Sequence, residues 1–127
     1  MAYDEPGKNS KNEVPHNIAA EAAILGAVLF DNNAYHRISE ILIASDFYNP
    51  AHGAIYEVIA KFIPNGKMAD GVTLHDEFSR KGQLDAIGGA SYLADLLDRA
   101  AFGPEIVDYA HIVRDLAIRR ELIDIGS

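Results

Sequence analysis

The side chains that could do chemistry are five histidines and nineteen carboxylates. Imidazole and carboxylate together suggest a metal site or acid–base catalysis. The spacing argues against both. His16, His36, His52, His75 and His111 are scattered. No two stand at i, i+3 or i+4, the separations that bring two ligands to one helix face. They are expected to be structural or solvated, so no catalytic, metal or cofactor-binding residue is assigned. There is no cysteine, which excludes disulfides, zinc–thiolate sites and thiol chemistry. A phosphate-binding loop needs a glycine five residues before Gly-Lys-Ser/Thr. The Gly-Lys pairs here are Gly7-Lys8, before Asn9, and Gly66-Lys67, before Met68. GxGxxG, HExxH and GxSxG are also absent from the sequence. This chain is expected to perform no catalysis.

Two further features invite a binding role. Gly88-Gly89 ahead of a helix could receive an anion, but an isolated glycine pair more often marks a tight helix start. Arg119-Arg120 could touch DNA. Asp115, Glu121 and Asp124 surround the pair, and basic residues near a helix C-terminus suit the macrodipole, so a solvated helix end is expected. The whole chain carries a formal charge of −8, which repels phosphate backbones. Its longest apolar stretch, Ala22 to Phe30, is far below the ~20 residues of a membrane span. The N-terminus, MAYDEPGKNSKNE, has no apolar region of a signal peptide.

The elements that must position these residues read as helices throughout. Residues 1–13 are too polar to order themselves and are expected to form a disordered tail. One domain then spans 14–127. Asn17 can cap a first helix, in which Ile18, Ala22, Leu25 and Leu29 form one buried stripe. Asp31-Asn32-Asn33 breaks it. A second helix is predicted from Ala34 to Ile43. Ser45 is expected to cap a short turn at Asp46-Phe47-Tyr48. Pro50 suits the first position of a third helix, with Ile55, Val58, Ile59 and Phe62 inward and Pro64-Asn65-Gly66 as its stop. Thr73 is the expected cap of a fourth helix through Lys81, with Asp76 near its positive end and Gly82 ending it. A fifth runs from Ala90 to Arg99, burying Leu93, Leu96 and Leu97. After Phe102-Gly103-Pro104 a sixth runs from Glu105 to about Ile125. No strand alternation or hairpin signal appears. The predicted fold is all-α, a compact bundle of about six helices.

The last helix has more apolar faces than one core can use. Ile106, Ala110, Val113 and Ala117 form one stripe. Tyr109, Ile112, Leu116 and Ile123 form a second, with Ile118, Leu122 and Ile125 between. The second stripe is either core within the chain or a self-association seam, and the seam is the reading favoured here. The apolar period still runs at Gly126-Ser127, as expected of a piece of a longer protein.

The punctuation resembles the N-terminal domain of bacterial replicative DNA helicases, the DnaB family, over Val14 to Ile125. VPHNIAAEAAILGAVL is similar to that family's opening signature through Pro15, His16, Ile18, Ala20, Glu21, Leu25 and Gly26. Asp46-Phe47-Tyr48 with His52, Ile55 and Tyr56 resembles its DFY-x-x-x-H-x-x-I-[FY] stretch. Gly66, Asp70, Thr73 and Leu74 resemble a third motif. Gly82, Leu84, Gly88, Gly89, Tyr92 and Leu93 resemble a fourth, and Tyr109-Ala110 with Ile112-Val113-Arg114 a fifth. Five motifs in order make the resemblance specific. Ala19 departs from the family's usual acidic residue. Ala100-Ala101-Phe102-Gly103-Pro104 departs from its usual connection, which bears on any contact made there.

The resemblance implies a non-catalytic domain of a hexameric, ATP-dependent helicase, bacterial and cytoplasmic, at the replication fork. ATP and Mg²⁺ would belong to a separate RecA-like motor domain. The last helix would be the first arm of a helical hairpin through which copies pair into a collar, weakly as a dimer in isolation and as a hexamer in the full-length protein. The collar would receive the primase C-terminal domain. On a helical wheel Tyr92 falls beside Asp95 and Arg99 on the polar face of the fifth helix, and these three form the expected primase-binding group. The alternative for Tyr92 is a half-buried edge residue with its hydroxyl in water. The alternative function is a helix-turn-helix DNA-binding regulator, in which Ala51 to Ile63 would be the recognition helix. That helix offers only Lys61, against Glu57, for phosphate contact.

Overall fold

The computed structural model describes residues 14–126. The expected tail, 1–13, lies outside the described residues. Six α-helices follow in order: α1 (Ile18–Phe30), α2 (Ala34–Ile38), α3 (Pro50–Phe62), α4 (Gly71–Arg80), α5 (Gly89–Asp98) and α6 (Glu105–Gly126). Short 3₁₀ turns at Ala44–Asp46, Ile63–Asn65 and Asp85–Ile87 join them. Among the described residues there is no strand, and the all-α expectation holds.

α1 is the axis of the domain. Asn17 caps it, its side-chain oxygen accepting from the Ala20 N–H at 3.0 Å. The expected single stripe is an under-reading, because every residue from Ala20 to Leu29 is buried. α5 and α6 pack along it, with α3 and α2 completing the enclosure. A helix surrounded in this way is apolar on all sides. Its composition, rich in alanine with Gly26 at the α5 crossing, lets neighbours approach closely. At the far end Asn32 braces α1 to the α3–α4 connection, donating to Ala69 O at 2.7 Å and accepting from Ala69 N at 2.9 Å.

Three boundaries and one expected core position differ from expectation, each for a local reason. α2 stops at Ile38. The Ile43 N–H, which a longer helix would direct to Ser39, is taken by the Asp46 carboxylate at 3.0 Å. The same bond shapes the following turn, so Asp46 reaching back, and not Ser45, fixes it. The cap of α4 is Asp70. Its carboxylate accepts from the Thr73 N–H at 2.9 Å, while Thr73 Oγ1 accepts from the Asp70 N–H at 3.0 Å. Thr73 is thus the third helical residue of a reciprocal capping box, and Asp76 falls in the second turn, paired with Arg80 at 2.9 Å. On α5, Leu93 and Leu96 are buried, whereas Leu97 is 37% exposed. The close α1 crossing at Leu96 turns Leu97 to the rim. Pro50 opens α3 as expected, with Asn49 Oδ1 accepting from Ala51 N and His52 N. Gly66 closes the turn after α3 at φ 79°, a conformation that favours glycine.

α6 docks through Ile106, Ala110, Val113 and Ala117, all buried. This is the first of the two predicted stripes.

Candidate interaction site

The most organised polar feature lies inside the domain. Glu21 on α1 is only 1% exposed and His52 on α3 is fully buried. Glu21 Oε2 accepts from the Tyr48 N–H at 2.7 Å. Its Oε1 faces the Asn49 N–H at 3.3 Å and His52 Nδ1 at 2.8 Å. The carboxylate therefore holds the segment that leads into α3. A buried carboxylate is tolerated only when its lone pairs are used in this way. His52 Nε2 meets the Tyr92 hydroxyl at 2.5 Å, and the two rings lie nearly parallel, 13° apart. One chain of hydrogen bonds thus joins α1, α3 and α5 and ends at the surface.

Tyr92 is half-buried. Its hydroxyl turns inward to His52, which neither sequence reading anticipated. Burial raises the phenol above its ordinary pKa, with Arg99 opposing and Asp95 and Glu21 adding to the rise. Gly88, at φ 104°, allows this placement, since a Cβ there would lie 2.7 Å from Tyr92 Cβ. The glycine pair therefore serves the helix start. Asp95 on α5 and Arg99, which caps its C-terminus, pair with each other at 2.9 Å.

The second predicted stripe of α6 begins at the edge of the core, where Tyr109 packs against it, and runs outward from there. Tyr109 and Leu116 are half-buried, Ile112 is 39% exposed and Ile123 48%. Ile118 and Leu122 are exposed beside them. The inner side of α6 is fixed by two arginines. Arg114 donates to Asp46 Oδ1 at 2.7 Å. Arg120 donates to Pro15 O at 2.8 Å and Asp46 O at 2.6 Å, and lies over the Tyr48 ring. The expectation of a solvated helix end fails for Arg120, which is half-buried and committed to two carbonyls. Tyr48 in turn stacks on His16 at 4.2 Å.

Among the described residues no group of three or more His, Asp or Glu side chains could hold a metal ion. His36, His75 and His111 are exposed. Gly66-Lys67 follows the end of α3 and leads into no helix directly. Among the described residues no helix is long and apolar enough to cross a membrane. α3 is a poor recognition helix: His52, Ile55, Tyr56, Val58, Ile59 and Phe62 are buried, and after its first residue only Glu57 and Lys61 are exposed.

The chain is similar to known proteins over most of its length. The family model of the DnaB-like helicase N-terminal domain matches residues 13–115. The replicative DNA helicase DnaB of Pasteurella multocida is 37% identical over 113 residues, 89% of this chain and 24% of that protein. The corresponding Mycobacterium leprae protein is 35% identical over 122 residues, 96% of this chain and 20% of that protein. The chain thus spans about a quarter or less of the length of these relatives. The crystal structure of the N-terminal domain of DnaB helicase from Mycobacterium tuberculosis superposes with a TM-score of 0.84 at 37% identity, covering 90% of this chain and 81% of that one. A DnaB-like replicative helicase, described with its interactions with primase, shares the fold at TM-score 0.73 and 24% identity, over 87% of this chain and 26% of that one. The chain belongs to the DnaB-like helicase N-terminal domain family.

Proposed function

We propose that this domain is a non-catalytic interaction module of a replicative helicase, supporting assembly of a hexameric collar and recruiting primase at the replication fork in the bacterial cytoplasm. ATP and Mg²⁺ chemistry falls to a separate motor domain. The observation that carries the reading is α6: one apolar stripe is buried in the domain's own core, and beyond half-buried Tyr109, which packs against that core, a second stripe leaves Ile112 exposed and Leu116 half-buried beside exposed Ile118 and Leu122. An apolar stripe of that length on a charged domain marks a protein contact. The domain is expected to self-associate weakly. Sedimentation over a wide concentration range tests this, with Ile112→Glu as the disrupting variant. A sharp monomer at high concentration refutes it for this domain.

The Tyr92, Asp95 and Arg99 face is the proposed primase contact. Truncating an aromatic anchor commonly costs more than ~1 kcal/mol, or over fivefold in affinity. Tyr92→Ala is therefore expected to weaken calorimetric binding of the primase C-terminal domain. Unchanged affinity in a folded variant overturns this assignment. Tyr92→Ala also strips a hydrogen bond from His52, so its fold is checked by circular dichroism in the same preparation.

A further inference from the structure

Proton positions in the Glu21–His52–Tyr92 chain decide what this face offers a partner. The Tyr48 and Asn49 N–H groups that face Glu21 can only donate. They hold its carboxylate as an acceptor, so His52 Nδ1 carries the proton shared at 2.8 Å. In the neutral ring Nε2 is then bare. The Tyr92 hydroxyl has one proton, and its contact with that nitrogen commits it inward. What the phenolic oxygen has left to offer is lone-pair density alone.

A groove of about 370 Å³ lies against Tyr92, lined also by Asn49, Ala51, Asp85 and Gly88. Among the described residues Asp85 is the only charged side chain lining it. The N–H groups of Ala51 and His52, which the start of α3 would otherwise present, are taken by Asn49 Oδ1. The groove thus combines a carboxylate with an acceptor-only phenol, on a chain of net charge −8.

We propose that this groove receives a lysine or arginine side chain of the partner protein, whose N–H donates to the Tyr92 hydroxyl oxygen and whose charge faces Asp85. The proposal deepens, and rests on, the reading of the Tyr92 face as a partner-docking surface.

Two measurements on the domain alone test it. Imidazole ¹⁵N–¹H correlation at about pH 8, above the ordinary histidine range, is expected to show His52 protonated at Nδ1 and bare at Nε2. A doubly protonated ring or the opposite tautomer overturns the proposal. Titration with ethylguanidinium is expected to move the Gly88 and Tyr92 amide resonances saturably, while acetate leaves them in place. Asp85→Asn should weaken that response by about threefold, the size of an exposed charge pair. Equal or reversed selectivity overturns the proposal. Primase separates the two claims. If the wild-type domain fails to bind the primase C-terminal domain, the proposed function fails and the guanidinium titration still decides the groove. If it binds, and Tyr92→Phe and Asp85→Asn bind equally well, the groove chemistry alone fails.

Discussion

Replacing Gly26 by alanine sets two effects of opposite sign against each other. Gly26 lies in the interior of α1, where helix propensity alone favours alanine by about 1 kcal/mol. The crossing with α5 acts the other way. A Cβ at this position would lie 1.9 Å from Leu96 O, 2.9 Å from Leu96 C and 3.0 Å from Ala100 Cα. All three are backbone atoms, so no side chain can rotate aside. Carbon–oxygen contacts settle near ~3.3 Å, so the helices must part by more than ~1 Å. Overpacking that side chains can absorb costs about 1–3 kcal/mol. Here the backbone itself must move, and it carries Leu93 and Leu96 out of the core. We expect a net loss of about 3 kcal/mol after the propensity gain is subtracted. With an m-value of about 1.5 kcal/mol/M, the urea midpoint falls by about 2 M. Gly71 is the control. It stands at the start of α4 with nothing within 4 Å of a built Cβ, so Gly71→Ala should gain about 0.4–1 kcal/mol. A Gly26→Ala domain as stable as the wild type refutes the close crossing of α1 and α5.

Three further outcomes are expected. Glu21→Gln places an amide N–H₂ among three donors and should lower stability by about 3 kcal/mol in thermal unfolding; an unchanged melting temperature would remove the buried chain from the account. Asp70→Ala should cost about 1 kcal/mol by losing the α4 cap, whereas Ser45→Ala should be neutral, and the reverse order would restore the serine as a cap. The Glu77 carboxyl is held below its ordinary pKa, first by the hydrogen bond from Lys81 and then by the nearby charges of Lys81, Lys61 and Arg80, against some desolvation. A depressed carboxylate contributes stability above its unfolded value and loses it as pH falls through its folded value. The advantage of the wild type over Glu77→Gln should therefore be full at neutral pH and vanish in acid, and an advantage that grows on acidification contradicts the assignment.

Much of the fold was legible because apolar period and punctuation agree. Asn17, Pro50, Gly66 and Gly82 mark helix ends in the sequence and do so in the structure. Boundaries went astray where a side chain from outside the element decides them. Nothing local in Ala34 to Ile43 reveals that Asp46 will claim the Ile43 N–H. The site was legible in pieces. Glu21, His52 and Tyr92 each belong to one of the motifs that carry the family resemblance, yet they are separated by 31 and 40 positions. Spacing along one helix, the criterion used to dismiss the histidines as ligands, is blind to partners on three helices. One signal was available: Glu21 is the only charged residue between Asn17 and Phe30. An ionisable group in so apolar a helix needs a buried partner. The polar face of α5 was the expected place for Tyr92, and its inward hydroxyl could be found only with His52 in view.

The arginine clamp on α6 has a geometric consequence. A helix of 22 residues is ~33 Å long, and a 5° tilt at its base would carry its far end by ~3 Å, enough to throw any side-chain interlock out of register. Arg114 and Arg120 remove that freedom by tying the rod to one carboxylate and two carbonyls of the domain's own loops. Whatever meets the outer face of α6 meets it at an angle already chosen. That angle is set inside the domain itself, by Asp46 and Pro15.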